Sequence, residues 1–127
     1  MAQKILLVDD EADFLEVVGE RIRSWGYECL FASSGKEALD AITAKKPDMV
    51  ILDYIMPEMD GVAALKEIRK IDRNLPVVML TAHPDIKVIK GAEQLRVDAF
   101  IPKMSPYQSM QGALRSAINM ALKVPSK

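Results

Sequence analysis

Four places in the 127-residue chain put chemically useful side chains at the end of an apolar run. Asp9-Asp10 closes Lys4-Ile5-Leu6-Leu7-Val8, and Asp53 closes Met49-Val50-Ile51-Leu52. Thr81 closes Val77-Val78-Met79-Leu80, and Lys103 follows the run from Val97 to Ile101. If the runs are adjacent parallel strands, three carboxylates, a hydroxyl and an ammonium share one crevice. Acids this close repel one another, and their pKa values rise unless a cation joins them. Oxygen-only ligands with room for waters suit Mg²⁺. Asp10 and Asp53 are expected as direct carboxylate ligands, with Asp9 acting through a bound water. An ammonium beside a carboxylate-bound Mg²⁺ makes a site for a phosphoryl group, because both cations neutralise its oxygens. The Thr81 hydroxyl can donate to one more oxygen. Asp53 is then placed as a nucleophile that accepts the group as an aspartyl phosphate.

That convergence depends on the elements between. Phe14, Leu15, Val18, Ile22 and Trp25 recur at helical spacing after the first strand. Asp10 or Glu11 favours the start of this helix through its dipole, and Gly26 stops it. Tyr27 to Ala32 reads as a second strand. Ser34 and Glu37 have capping-box spacing before a helix with Ala38, Leu39, Ala41 and Ile42 on its apolar side. Residues 49–52 alternate with nothing polar, which suits a strand buried on both faces. The loop from Tyr54 to Gly61 carries Pro57 and Asp60-Gly61 as turn signals, and a third helix runs from Val62 to Ile71. Pro76 opens the fourth strand. Pro84-Asp85 starts a fourth helix reaching about Leu95, with Gly91 as a weak point inside it. Val97 to Ile101 is the fifth strand and Pro102 to Pro106 a loop. Ser105 as N-cap and Pro106 at the first helical position launch the last helix, whose buried stripe is Met110, Leu114, Ala117, Ile118 and Ala121.

Five strands alternating with five helices require parallel strands and right-handed crossovers, hence a doubly wound α/β sandwich. The flavodoxin-like order 2-1-3-4-5 puts strands 1 and 3 side by side, with the switch point between them. Residues 1–123 are expected to form one domain and 124–127 a tail or the start of a linker. Half the residues are apolar and 28% charged, with a net charge of −1. That balance carries no electrostatic footprint for nucleic acid or an anionic membrane. Cys29 is the only cysteine, so no internal disulfide forms, which fits a cytoplasmic protein. No stretch is long and apolar enough to span a membrane, and no signal peptide opens the chain.

The signature blocks Val8-Asp9-Asp10-Glu11, Leu52-Asp53-Tyr54-Ile55-Met56-Pro57 with Asp60-Gly61, Leu80-Thr81-Ala82 and Phe100-Ile101-Pro102-Lys103 together resemble the receiver domain of two-component response regulators. The resemblance spans nearly the whole chain. It implies that a sensor histidine kinase or a histidine phosphotransfer protein supplies the phosphoryl group to Asp53. It also implies that the backbone carbonyl of Ile55 is a further metal ligand and that Thr81 and Phe100 form a switch pair. The face made by the fourth helix, fifth strand and fifth helix then changes and is read by a downstream effector or a fused output domain, with homodimerisation on phosphorylation as one outcome. Such a domain catalyses its own phosphorylation and slow dephosphorylation without turning over a separate substrate. Two departures stand out. Met104 follows Lys103 where the family usually has proline, and Arg96 stands where it often has glycine.

Plainer readings accompany these. Glu11, Asp13 and Glu16 read as the solvated face and first turn of the first helix, and Lys66, Arg69, Lys70 and Arg73 as a solvated face of the third. Cys29 reads as a buried strand residue, the methionines as gap fillers, and His83 as an exposed loop residue able to influence water access. Tyr54 sits where it could shield the acceptor. A haloacid-dehalogenase-type phosphatase would need a second acid two residues after Asp53, where Ile55 stands. A flavin-binding domain would need a Ser/Thr/Gly-rich loop after strand 1, where three acids stand. The alternative kept open is a receiver-like interaction module that works without phosphorylation.

Overall fold

Apolar runs without alternation become the strands. The computed structural model describes residues 3–56, 58–82, 85–104 and 106–122; the readings that involve Pro57, His83, Pro84, Ser105 and the 124–127 tail lie outside them. The order is β1 (Lys4–Val8), α1 (Ala12–Ser24), β2 (Glu28–Ala32), α2 (Gly35–Lys45), β3 (Met49–Asp53), α3 (Gly61–Ile71), β4 (Val77–Thr81), α4 (Ile86–Gln94), β5 (Ala99–Pro102) and α5 (Gln111–Leu122). All strands pair in parallel in the order β2-β1-β3-β4-β5. Every residue of β3 and β4 is buried, as expected for strands covered on both faces. Ile5, Leu7, Met49 and Ile51 face a core completed by Phe14, Val18 and Ile22 of α1 and Leu114 and Ile118 of α5. Leu6, Val8, Val50 and Leu52 face a second core with Ala38 and Ile42 of α2, Leu65 and Ile68 of α3, and Ala92 of α4. The helices therefore lie on both faces, and the crossovers bring the carboxyl ends of β1, β3 and β4 to one edge.

Several local readings shift in the folded chain. Ser34 caps α2 by accepting from the Glu37 N–H at 3.1 Å. The Glu37 carboxylate, however, accepts from the N–H and hydroxyl of Ser33 (2.9 Å each) instead of from Ser34. Asp60-Gly61 is a helix start instead of a free turn: Asp60 accepts from the Ala63 N–H at 2.8 Å, and Gly61 is the first residue of α3. Glycine is needed there because a Cβ would lie 2.7 Å from Tyr54 Cα and 2.9 Å from the Asp53 carbonyl oxygen. The start of α3 is thus pressed against the end of β3.

β5 begins two residues later than expected and includes Pro102. The Val97 N–H is taken by the Ala92 carbonyl at the end of α4, and Pro102 pairs with Thr81 on an edge strand, where proline is tolerated. Pro106 is extended (φ −70°, ψ 156°) and precedes a 3₁₀ turn, Tyr107–Met110, so it does not open α5 as expected. Met110 is buried in that turn, while Leu114, Ala117 and Ile118 form the buried stripe. Arg96 has φ 63°, the left-handed conformation that glycine adopts without steric cost.

Candidate functional site

The site is built from strand ends. Asp9 follows β1, Asp53 ends β3, Thr81 ends β4 and Lys103 follows β5. Asp9, Asp53 and Thr81 are the buried polar or charged residues among those described. Lys103 Nζ lies 2.8 Å from Asp9 Oδ2 and 3.4 Å from Asp53 Oδ2, and it also pairs with the Glu11 carboxylate. The ammonium sits 4.6 Å from the centre of the Phe14 ring, an attractive placement for a cation. The Lys103 N–H donates to the Thr81 carbonyl at 2.7 Å, which ties the loop after β5 to the end of β4.

Electrostatics follow from burial. Desolvation, then the neighbouring Asp9 charge, push the Asp53 carboxyl from its ordinary 3.8 up to about 6, against the pull of Lys103 and the Ile55 N–H. Asp9 is also raised, chiefly by burial, with Lys103 and the Glu11 N–H opposing. Burial works against the Lys103 ammonium, yet its pairing with the Asp9, Glu11 and Asp53 carboxylates outweighs it and holds its pKa above the ordinary lysine value. One ammonium faces three carboxylates here, with Asp10 beside them.

Asp9 Oδ1 accepts from the Glu11 N–H at 2.9 Å. Asp9 Oδ2 is buried and makes no hydrogen bond; its 2.8 Å approach to Lys103 is an ion pair without hydrogen-bond alignment. Asp10 is exposed, and one carboxylate oxygen from each of Asp9, Asp10 and Asp53 lies within 4.8 Å of the others. A buried carboxylate oxygen without a hydrogen bond, beside two more, is a donor set that fits a hard divalent cation such as Mg²⁺. Asp10, Glu11, Asp53, Ile55, Lys103 and Met104 contribute to the walls of an open pocket of about 500 Å³.

The structure brings Asp9, Asp10, Asp53, Ile55 and Lys103 to this crevice. Thr81 is fully buried at the end of β4, and the next residue, Ala82, is in the pocket wall. Phe100 is half-buried against the core on the α3 and α4 side. Tyr54 packs its ring on that same core, while Met104 is 40% exposed on the rim. Cys29 is a buried strand residue whose thiol is pushed up to about 11, mainly by burial.

Two plain readings are corrected. Glu11 is not merely solvated: it holds Lys103, and its adjacency to Asp9-Asp10 was the one available signal. Arg69 is not on a solvated face. Its guanidinium donates to the carbonyls of Leu95 (2.7 Å), Leu75 (2.7 Å), Asp72 (3.2 Å) and Arg96 (3.0 Å), fastening α3 to the end of α4.

A parallel sheet of this order, with an acidic crevice and an ammonium at the switch point, defines a class of α/β domain, and comparison with known proteins identifies the family. The profile of the response regulator receiver domain matches residues 5–115, and the chain belongs to that family. It is 37% identical over 95 residues to sporulation initiation phosphotransferase F of Bacillus subtilis, covering 75% of this chain and 77% of that protein. It is also 37% identical over 117 residues to the transcriptional regulatory protein GlrR of Escherichia coli, covering 92% of this chain but 26% of the relative. A response regulator receiver domain protein from Clostridium thermocellum superposes with a TM-score of 0.80 at 33% identity, covering 93% of this chain and 95% of that one. The chain thus spans about a quarter of the length of GlrR and 45% of that of a probable transcriptional regulator, ycf27, of Guillardia theta. Among the described residues, no helix is long and apolar enough to cross a membrane.

Proposed function

We propose that the chain is a phosphoacceptor in a histidine-to-aspartate phosphorelay, with Asp53 as the acceptor. The observation that carries this reading is Lys103, held 3.4 Å from Asp53 and 2.8 Å from Asp9 beside the Asp9 oxygen that makes no hydrogen bond. An Asp53 carboxylate oxygen attacks the phosphorus of a phosphohistidine on a sensor kinase or phosphotransfer protein. The new P–O bond forms as the P–N bond breaks, and the imidazole leaves. Lys103 neutralises a phosphoryl oxygen, and the Thr81 hydroxyl takes another. Asp10 and Asp53, the Ile55 carbonyl, and Asp9 through a water would hold Mg²⁺. The bound Mg²⁺ supplies Lewis-acid neutralisation of the developing phosphoryl charge.

The aspartyl phosphate adds negative charge at the end of β3. Thr81 and Phe100 then carry the change to the face of α4, β5 and α5, where Ile86 and Met120 are 70% and 74% exposed. A downstream effector, a fused output domain or a second copy reads that face. Residues 1–123 act as the receiver unit.

Intact-protein mass after incubation with acetyl phosphate and Mg²⁺ tests the reading. The expected result is one added phosphoryl group in the wild type and none in Asp53→Asn or after chelation. A wild type that gains nothing, and whose amide spectrum ignores beryllofluoride with Mg²⁺, makes the domain a phosphorylation-independent interaction module.

A further inference from the structure

The ammonium of Lys103 carries three N–H donors, and the structure surrounds it with three carboxylates: Asp9, Asp53 and Glu11. Glu11 and Asp53 accept its N–H groups, and Asp9 pairs with it as an ion, so a phosphoryl oxygen that comes to Lys103 competes with these carboxylates for the ammonium. The three are not equivalent. The Asp9 side chain is 0% exposed and that of Asp53 is 5% exposed, whereas that of Glu11 is 55% exposed. Asp9 is fixed further by the Glu11 N–H. Releasing Asp9 from the ammonium would leave a buried charge without its partner, which is costly. Asp53 must stay, because it receives the group. Glu11 can swing into water and keep its charge solvated. It stands at the start of α1, where its extended backbone makes it the N-cap residue, yet its side chain makes no cap bond. That side chain is committed to Lys103.

We propose that Glu11 is a displaceable counter-ion, a positioning residue that holds Lys103 against Asp9 and Asp53 until a phosphoryl oxygen takes its place. This inference rests on the phosphoacceptor reading. Glu11 orders the lysine in advance, and its displacement subtracts from the affinity of the domain for the phosphoryl group. Because Glu11 is half-exposed, its competition is modest, as for other solvent-screened ion pairs.

Beryllofluoride, a phosphoryl mimic, is titrated into wild type, Glu11→Gln and Glu11→Asp at saturating Mg²⁺, with Mg²⁺ affinity measured separately for each. Glu11→Gln binds beryllofluoride about 2- to 5-fold more tightly, as expected for loss of a screened ion pair, while Glu11→Asp moves back toward the wild type. In the metal-free protein, the Lys103 ammonium nitrogen resonance shifts in Glu11→Gln and returns toward its wild-type position in Glu11→Asp. Beryllofluoride affinity that is unchanged or weaker in Glu11→Gln, in a wild type that binds it, overturns the role of Glu11 and leaves the acceptor reading intact. A wild type that binds Mg²⁺ but no beryllofluoride overturns both.

Discussion

Replacing Asp53 by Asn should make the metal-free domain more stable at neutral pH. The buried Asp53 carboxyl is held near 6 instead of 3.8, so its ionised form is disfavoured in the folded protein. The folded state therefore binds more protons than the unfolded chain between those values, and wild-type stability falls as pH rises through that window. At about 1.4 kcal/mol for each pH unit separating the two values, the ionised Asp53 costs about 3 kcal/mol at pH 7 and well under 1 kcal/mol at pH 4. Asn keeps the shape and removes the charge that Asp9 opposes. It also loses the 3.4 Å contact with Lys103, but that attraction already opposes the upward shift and so is counted in it. Urea unfolding in the presence of a chelator, followed by circular dichroism at pH 4 and pH 7, measures the difference. Asp53→Asn is expected to exceed the wild type by about 2–3 kcal/mol at pH 7, with the gap nearly closing at pH 4. Millimolar Mg²⁺ should then stabilise the wild type more than the variant, because the cation removes the same repulsion. A variant no more stable than the wild type at pH 7 in chelator would refute the claim that the acidic cluster is under electrostatic stress.

Two further predictions concern the frame around the site. Arg96→Gly should gain about 1 kcal/mol from relief of the left-handed backbone at φ 63°, partly offset by the greater freedom of glycine in the unfolded chain; a loss in denaturant unfolding would contradict this. Arg69→Met keeps the aliphatic stem and leaves the Leu75 and Leu95 carbonyls without their 2.7 Å donors. It should cost about 2–4 kcal/mol and raise amide hydrogen exchange at the end of α4, and a loss below about 1 kcal/mol would show that water replaces the guanidinium.

The strands, their order and the four strand-end side chains were legible in the sequence because a parallel sheet writes itself as apolar runs, and a run that stops at an acid marks its own end. Asp53 after residues 49–52 and Asp9 after residues 4–8 needed no tertiary knowledge. Helix caps were half legible. Ser34 is an N-cap as its spacing suggests, but which N–H the Glu37 carboxylate chooses depends on how the chain enters α2.

What only the tertiary structure decided are the contacts between residues far apart in sequence. Glu11 looks like any helix-start acid until Lys103, 92 residues later, arrives beside it. Arg69 belongs by composition to a basic helix face, and only the docking of α3 beside the end of α4 turns it inward. Gly61 reads as a turn until the Asp53 carbonyl is found where its side chain would be. Local pattern reports burial and periodicity, which each segment carries within itself. The partner of a long flexible charged side chain is set by which strand ends meet, and that is a property of the whole fold.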